Sequence, residues 1–276
     1  MDTRRMCPHC RAFITTKDRV CPYCDEPVGE RAIERRDPSP IAGLIPASRF
    51  SAGMILLLNL AMFAATVFYS TKAGNANAFM GLDGETLYRF GASVPGAAFR
   101  GEWWRLITAG FLHGGLFHIA MNTWVLFDLG AQVEELYGTA RFLCFYVLST
   151  VGGFLVSSMW GHFSVGASAA IFGLIGAMIA MGVRNKQSPM GQAVRGLYIR
   201  WAIYGLLFGL MPGLRIDNAA HLGGLATGFA LAYIADTPKL VDRPVEKFWR
   251  GAAVVSVGIA VLSFLRAYTG PTSPFQ

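Results

Sequence analysis

The sequence predicts an all-α polytopic membrane protein that carries a small cysteine-rich head at its N-terminus. The 276 residues are 53% hydrophobic and only 15% charged, whereas soluble domains carry about 25% charged residues. Long apolar runs alternate with short polar connections, which is the pattern of several membrane-crossing helices. Four of the five cysteines lie in the polar segment before the first apolar run.

The head contains two Cys-x-x-Cys pairs, CPHC and CPYC, with ten residues between them. Two such pairs can hold Zn²⁺ tetrahedrally, and a unit of about 25 residues needs such a staple to fold. Two disulfides or a redox Cys-x-x-Cys are alternatives, although a redox pair is expected near a βαβ pattern. We expect a zinc-ribbon-like segment at residues 1–30, in the reducing cytosol. Its expected Zn²⁺ ligands are Cys7, Cys10, Cys21 and Cys24.

Seven candidate spans follow a charged, proline-containing linker at residues 31–49. They cover about residues 50–70, 115–136, 141–160, 167–183, 198–211, 218–235 and 251–268. The first six form a predicted core at residues 50–235. Residues 236–276 are expected to contain a cytosolic linker, a seventh C-terminal transmembrane helix and a short tail.

Lysine and arginine collect before the first span, between the fourth and fifth, and between the sixth and seventh. By the positive-inside rule these connections lie in the cytosol, so the N-terminus is cytosolic and the C-terminus is outside. The net charge of +7 follows from these loops, and no nucleic-acid partner is expected. We expect a multi-pass protein of a bacterial cell membrane. The long outer connection, 71–105, is expected to place Trp103 and Trp104 at headgroup depth.

Polar side chains lie where the second, fourth and sixth predicted spans begin. His118 and Asn122 share one face of the second span, Ser168 begins the fourth, and His221 lies near the start of the sixth. These spans all run from outside to inside, so the four side chains are expected at one outer depth. Each alone also fits a packing serine or an inter-helix hydrogen bond. Together they favour a functional site, because unsatisfied polar groups are costly in a membrane.

Small residues repeat on the fourth and sixth spans: Ala169, Gly173 and Ala177 on one, and Gly224 and Gly228 on the other. Such stripes let two helix backbones approach closely. They can therefore bring Ser168 and His221 within hydrogen-bond reach.

Serine becomes a nucleophile when a base removes its proton, and His221 is the available base. No acidic residue adjoins His221, so a Ser–His dyad is more economical than a triad. Phe172, one turn from Ser168, could pack on the imidazole. Acyl transfer also needs hydrogen-bond donors for the oxyanion. The Asn122 amide, the His118 ring N–H and the Ser168 backbone N–H can supply them.

These residues fall in motifs that resemble those of the rhomboid intramembrane serine proteases. In order along the chain, the motifs are Trp104-Arg105, His113-x4-His118-x3-Asn122, Gly130-x3-Glu134-x3-Gly138, Gly166-Ala167-Ser168 and His221-x2-Gly224-Leu225-x2-Gly228. The resemblance implies a six-helix catalytic core, with Ser168 as nucleophile and His221 as base. It also implies oxyanion roles for Asn122, His118 and the Ser168 amide.

The same resemblance implies a lipid-embedded enzyme that cleaves single-span membrane proteins and needs no cofactor for the cleavage. His113, Phe172 and Gly166 would support the site, and Glu134 would tie helices together. Several family members carry tyrosine where Phe172 stands, so the ring contact would be kept here without the hydroxyl.

Two other function classes stay open. A catalytically inactive rhomboid-like protein would bind or escort membrane clients, but such relatives typically lack the serine or the histidine that this sequence keeps. A transporter or channel would carry charged residues along a path through the midplane. The polar residues here cluster at one predicted level, which favours a protease.

Overall fold

The structure is a computed structural model that describes residues 4–7, 10, 12–15, 18–28, 50–213, 216–235, 237 and 244–270. The chain divides into two compact units, Met1–Pro46 and Ala47–Gln276. The smaller unit contains a two-stranded antiparallel sheet of β1 (Arg4–Met6) and β2 (Phe13–Thr15). The predicted linker at 31–49 lies outside the described residues.

The larger unit is built from helices, and the predicted all-α membrane fold is confirmed. Its described residues form α1 (Phe50–Lys72), α2 (Gly84–Arg89), α3 (Arg105–Thr108), α4 (Leu116–Met159), α5 (Ser168–Arg184), α6 (Pro189–Phe208), α7 (Asn218–Ala235) and α8 (Pro244–Thr269). By length and composition, α1, α4 and α8 can each cross a membrane, and α5 is a shorter apolar helix. Seven separate spans therefore stay a prediction.

Helix α4 contains both the second and the third predicted spans. Its backbone leaves the helical conformation at Gly138, with φ 76° and ψ 159°, a conformation that favours glycine. The break falls between the two predicted spans, and it separates a first half, 116–137, from a second half, 139–159. One long apolar segment is thus two helices.

Helix α6 begins nine residues before the predicted fifth span, 198–211, and ends three residues before it does. The Ser188 hydroxyl accepts a hydrogen bond from the Gly191 N–H at 2.9 Å, and proline follows the serine. Both features are strong signals of a helix N-terminus. Hydropathy alone missed this start because the first two turns contain glycine, glutamine and arginine.

The contact between α5 and α7 is made backbone to backbone. A Cβ added to Gly224 would overlap the carbonyl oxygen of Ala169, and one added to Gly228 would overlap that of Gly173. On its other side, Gly173 faces the Ser149 side chain of α4. The small-residue stripes therefore set the spacing of these helices, because any larger side chain would separate them.

Two buried polar ties hold α1 and α8 against α4, on either side of the break in that helix. The Glu134 carboxylate accepts hydrogen bonds from the first amides of α1, at 3.2 Å from Ser51 and 3.0 Å from Ala52. Arg141 forms a bidentate ion pair with Glu246 of α8, at 2.7 and 2.9 Å. Each tie satisfies polar groups that would be costly if unpaired in a membrane protein.

The connection between α1 and α4 folds around Arg105, whose Nη1 donates to the Tyr88 carbonyl at 2.7 Å. Trp103 is 41% exposed, but Trp104 is only 6% exposed and packs beneath the guanidinium of Arg266 from α8. The Trp104 ring therefore packs against α8, and the depth of both tryptophans in the membrane stays a prediction.

Replacing Gly228 with alanine should lower the melting temperature, because the new Cβ would push α7 away from α5. Overpacking of this kind costs about 1–3 kcal/mol. Gly258→Ala is the matched control, since a Cβ at Gly258 meets nothing within 4 Å and alanine is the better helix former. Thermal unfolding of both variants in detergent makes the comparison, and equal melting temperatures would contradict the packing described here.

Candidate active site

Ser168 is the first residue of α5, and the loop before it is fixed at two points. The Gly166 N–H donates to the Ala109 carbonyl at 2.9 Å. Ser164 and Ser93 exchange backbone hydrogen bonds at 3.0 and 3.1 Å. The Ser168 side chain is partly exposed, so its hydroxyl lies at an accessible helix N-terminus whose first amides have no partner within the helix.

His221 lies in the first turn of α7 and is 5% exposed. Its imidazole stacks on the Phe172 ring, with centroids 4.0 Å apart and planes inclined by 9°. Phe172 lies one turn along α5 from Ser168, so this stacking joins the serine helix to the histidine ring. Among the residues that the structure describes, Nδ1 of His221 has no hydrogen-bond partner. The stacked ring, and not a carboxylate, therefore orients the imidazole.

Gly166 brings the loop backbone against His118 of α4. A Cβ at Gly166 would lie 2.6 Å from His118 Nε2 and 3.5 Å from Ser168 Oγ, and the φ angle is +132°. His118 Nδ1 accepts a hydrogen bond from the Gly114 N–H at 3.4 Å. A neutral imidazole that accepts at Nδ1 carries its proton on Nε2. A ring N–H therefore borders the space beside the serine hydroxyl.

Asn122 and His113 flank His118. Asn122 Nδ2 donates to the His118 carbonyl at 2.8 Å, and the amide keeps a second N–H for another acceptor. His113 is fully buried, and its ring meets that of His118 edge to face, with centroids 5.2 Å apart. These contacts surround the predicted oxyanion donor with further polar groups.

The structure thus brings the sequence-predicted residues into one region, where α4, α5 and α7 meet. Gly166 and His118 lie beside Ser168, His221 stacks on Phe172 one turn along α5, and Asn122 and His113 contact His118. The catalytic, oxyanion and supporting roles of these residues stay predictions.

Sequence reasoning missed a carboxylate at the start of α7. Oδ1 of Asp217 accepts from the amides of Ala219 and Ala220 at 3.0 and 3.1 Å and lies 2.8 Å from His162 Nδ1, and Oδ2 accepts from Ser157. Burial raises the pKa of this carboxyl, but these hydrogen bonds outweigh burial and lower the pKa overall. An aspartate just before an apolar helix is an N-cap signal, which could have identified it.

The four cysteines of the head form a separate candidate metal site. Their ligand atoms all lie within 4.8 Å of one another, with the sulfurs of Cys7 and Cys24 3.8 Å apart and those of Cys10 and Cys21 3.6 Å apart. Sulfurs bound at about 2.3 Å around a tetrahedral Zn²⁺ lie about 3.8 Å from each other. The residues therefore fit a zinc ion, and their separations exceed the S–S bond of about 2.05 Å.

Comparison with known proteins decides the family. A model of the Rhomboid domain matches residues 100–236. Rhomboid-like protease 2 of Toxoplasma gondii is 33% identical over 202 residues, which are 69% of this chain and 68% of that protein. The chain belongs to the rhomboid family. All the motifs from Trp104 to Gly228 lie inside the matched domain, whereas the cysteine head and α8 lie outside it.

Two bacterial rhomboids are also similar to this chain. Rhomboid protease GluP of Bacillus subtilis (strain 168) is 38% identical over 156 residues, which are 56% of this chain and 30% of GluP. Rhomboid protease AarA of Providencia stuartii is 29% identical over 227 residues, which are 70% and 78% of the two proteins. The chain spans 30% to 55% of the length of the first three curated relatives it matches. As a rhomboid with long apolar helices, it is an integral membrane protein.

Proposed function

We propose that this rhomboid is an intramembrane serine endopeptidase that cleaves membrane-spanning segments of other proteins with a Ser168–His221 dyad. The observation that carries the proposal is the stacking of His221 on Phe172, one turn from Ser168, across the glycine-lined contact of α5 and α7. Its similarity to GluP and AarA, both named as proteases, supports the same activity.

In the proposed reaction, His221 takes the proton of the Ser168 hydroxyl while the serine oxygen attacks the scissile carbonyl carbon. When the tetrahedral intermediate collapses, the imidazolium gives this proton to the leaving amine and an acyl-enzyme forms. A water molecule, deprotonated by the same histidine, then hydrolyses the ester. The Phe172 ring would keep the imidazole plane fixed through these proton transfers, which use protein side chains and water alone.

Three donors would stabilise the oxyanion: the His118 ring N–H, the Asn122 amide and the Ser168 backbone N–H. The hydrogen bond from Gly114 to Nδ1 of His118 supports the first, because it leaves the ring proton on Nε2. The second N–H of the Asn122 amide is available for the oxyanion. The Ser168 amide has the added field of a helix N-terminus. Each such donor is worth about 10²–10³ in turnover.

The proposed substrates are single-span membrane proteins that reach the site from the lipid bilayer. A helical segment keeps its carbonyls hydrogen-bonded within the helix. The segment must therefore open locally before Ser168 can attack, which favours small or helix-weakening residues near the cut. We further propose the orientation that the basic connections indicate, in a bacterial cell membrane, with the N-terminus in the cytosol and the site near the outer face.

We also propose that Cys7, Cys10, Cys21 and Cys24 hold a structural Zn²⁺. The bound ion would supply most of the folding energy of so small a unit. The head is a compact unit of its own and its cysteines are not part of the dyad, so the ion would serve folding and not cleavage.

Ser168→Ala and His221→Ala should each abolish cleavage of a single-span substrate in detergent, because the first removes the nucleophile and the second the base. Ser263→Ala is the matched control, since that hydroxyl donates to the Ile259 carbonyl of its own helix, at 2.8 Å. Circular dichroism should show all three variants folded. Near wild-type cleavage by either of the first two would remove that residue from the proposed chemistry.

Gly166→Ala should also abolish cleavage, because the new Cβ would displace the His118 ring from the oxyanion position. Gly161→Ala also places alanine at a positive φ, +82°, but its Cβ would meet nothing within 4 Å. Comparing turnover and melting temperature of the two variants separates the clash from the backbone strain. Equal loss of turnover in both would show that contact with His118 is not what requires glycine.

Purified protein should contain one zinc per chain by elemental analysis, and Cys10→Ser should reduce that content. Chelation should unfold residues 1–30 while cleavage in detergent continues, because the active-site residues all belong to the other compact unit. A metal-free preparation with a folded head would refute the zinc site. Loss of cleavage on chelation would refute the prediction that catalysis does not depend on the zinc site.

A further inference from the structure

We propose that Asp217 is a positioning residue for the dyad, because its carboxylate ties the first turn of α7, which carries His221, to the segment that leads into Ser168. The inference deepens the proposed protease function and rests on it. It concerns the distance between two side chains on different helices, which neither helix can fix alone.

On the α7 side, Asp217 holds the first turn by its side chain and by its backbone. Its Oδ1 accepts from the amides of Ala219 and Ala220, and its carbonyl accepts from the His221 N–H at 3.1 Å. A helix leaves its first amides without intrahelical partners, and a capping carboxylate satisfies them. The turn that carries His221 is therefore anchored at the residue that starts it.

On the other side, the same carboxylate reaches α4 and the loop after it. Ser157, which is fully buried near the end of α4, donates its hydroxyl to Oδ2, and His162 in the loop lies 2.8 Å from Oδ1. His162 lies only six positions before Ser168 in the chain. Asp217 thus connects the segment that precedes Ser168 with the first turn of α7, which carries His221.

The arrangement differs from that of a triad aspartate. In a triad the carboxylate binds Nδ1 of the catalytic histidine, whereas the Asp217 oxygens are used by Ser157, His162 and the α7 amides. Nδ1 of His221 has no hydrogen-bond partner in the described part of the chain. Asp217 therefore acts by placing helix α7 and not by orienting the imidazole. Its lowered pKa keeps the carboxylate ionised, which favours its place at a helix N-terminus.

The chain offers a matched control in Asp83, which caps α2 in the same way. Its Oδ1 accepts from the Thr86 N–H at 2.7 Å, and its Oδ2 accepts from the Ser70 hydroxyl of α1 at 2.6 Å. Burial raises the pKa of Asp83, but these hydrogen bonds outweigh it and lower the pKa to about 2. Both aspartates cap one helix and bridge to another, but only Asp217 lies between the elements that carry the dyad.

The test compares Asp217→Ser with Asp83→Ser. Serine keeps part of the cap, because its hydroxyl can accept from one first-turn amide, but it cannot also serve a second amide or reach across to a second element. We expect Asp217→Ser to lower kcat by about 10–100-fold, since a misplacement of about 1 Å can cost about 100-fold, with KM unchanged. Asp83→Ser should leave kcat unchanged. Asp217→Asn, which keeps the side-chain shape, should restore part of the loss and serves if the serine variant does not fold.

Hydrogen–deuterium exchange provides a readout that does not need activity. In Asp217→Ser, amides of both 160–167 and 219–221 should exchange faster than in the wild type, while those of α2 do not change. Faster exchange in only one segment, or in neither, would show that Asp217 does not connect the two segments.

Unchanged kcat, equal kcat losses in both serine variants, or a change in KM alone would show that Asp217 does not position the dyad. If the wild type cleaves no substrate, the proposed function fails, and the exchange data still decide whether Asp217 couples the segments.

Discussion

The direct contact between the α5 and α7 backbones is the constraint on which the site depends. Ser168 begins one of these helices and His221 lies in the first turn of the other, so their separation is set by how closely the helices approach. Ala169, Gly173 and Gly224 allow that approach because no larger side chain stands between the backbones. The stacking of His221 on Phe172 then fixes the position of the imidazole relative to α5.

Polar ties to α4 hold the ends of other helices in the helical unit. Glu134 binds the first amides of α1, and Arg141 binds Glu246 of α8, so the flanking helices are tied to α4 at its break. Asp217 binds the first amides of α7 and the Ser157 hydroxyl of α4. Because unpaired polar groups are expensive in a membrane, such ties hold the ends of helices whose sides are held by apolar and small residues.

Much of the site could be predicted from the sequence because its signals are local. The stripes around Gly173 and Gly224 predict a close helix pair, and the placement of Ser168 and His221 at the starts of those helices predicts that they meet. The spacing of the four cysteines likewise predicts a metal-binding head. Each of these inferences needs only the periodicity of a helix or the geometry of a ligand set.

The features that were missed depend on contacts between distant parts of the chain. The partners of Asp217 include Ser157, 60 residues away, and nothing in either local sequence pairs them. Trp104 is buried, and Arg266 of α8, which lies far along the chain, stands over its ring. The start of α6 was missed for another reason, since a serine cap and a proline outweigh the polarity of the first two turns.

The most direct test of the account is the reaction of the protein with a fluorophosphonate, followed by mass spectrometry of the peptides. The serine oxygen displaces fluoride from the reagent and becomes phosphonylated only where a base activates the hydroxyl, so the reagent reports on the dyad without a protein substrate. The account predicts a single adduct on Ser168 that is lost in His221→Ala and kept in Ser263→Ala. An adduct on another serine, or equal labelling of Ser168 when His221 is replaced, would contradict it.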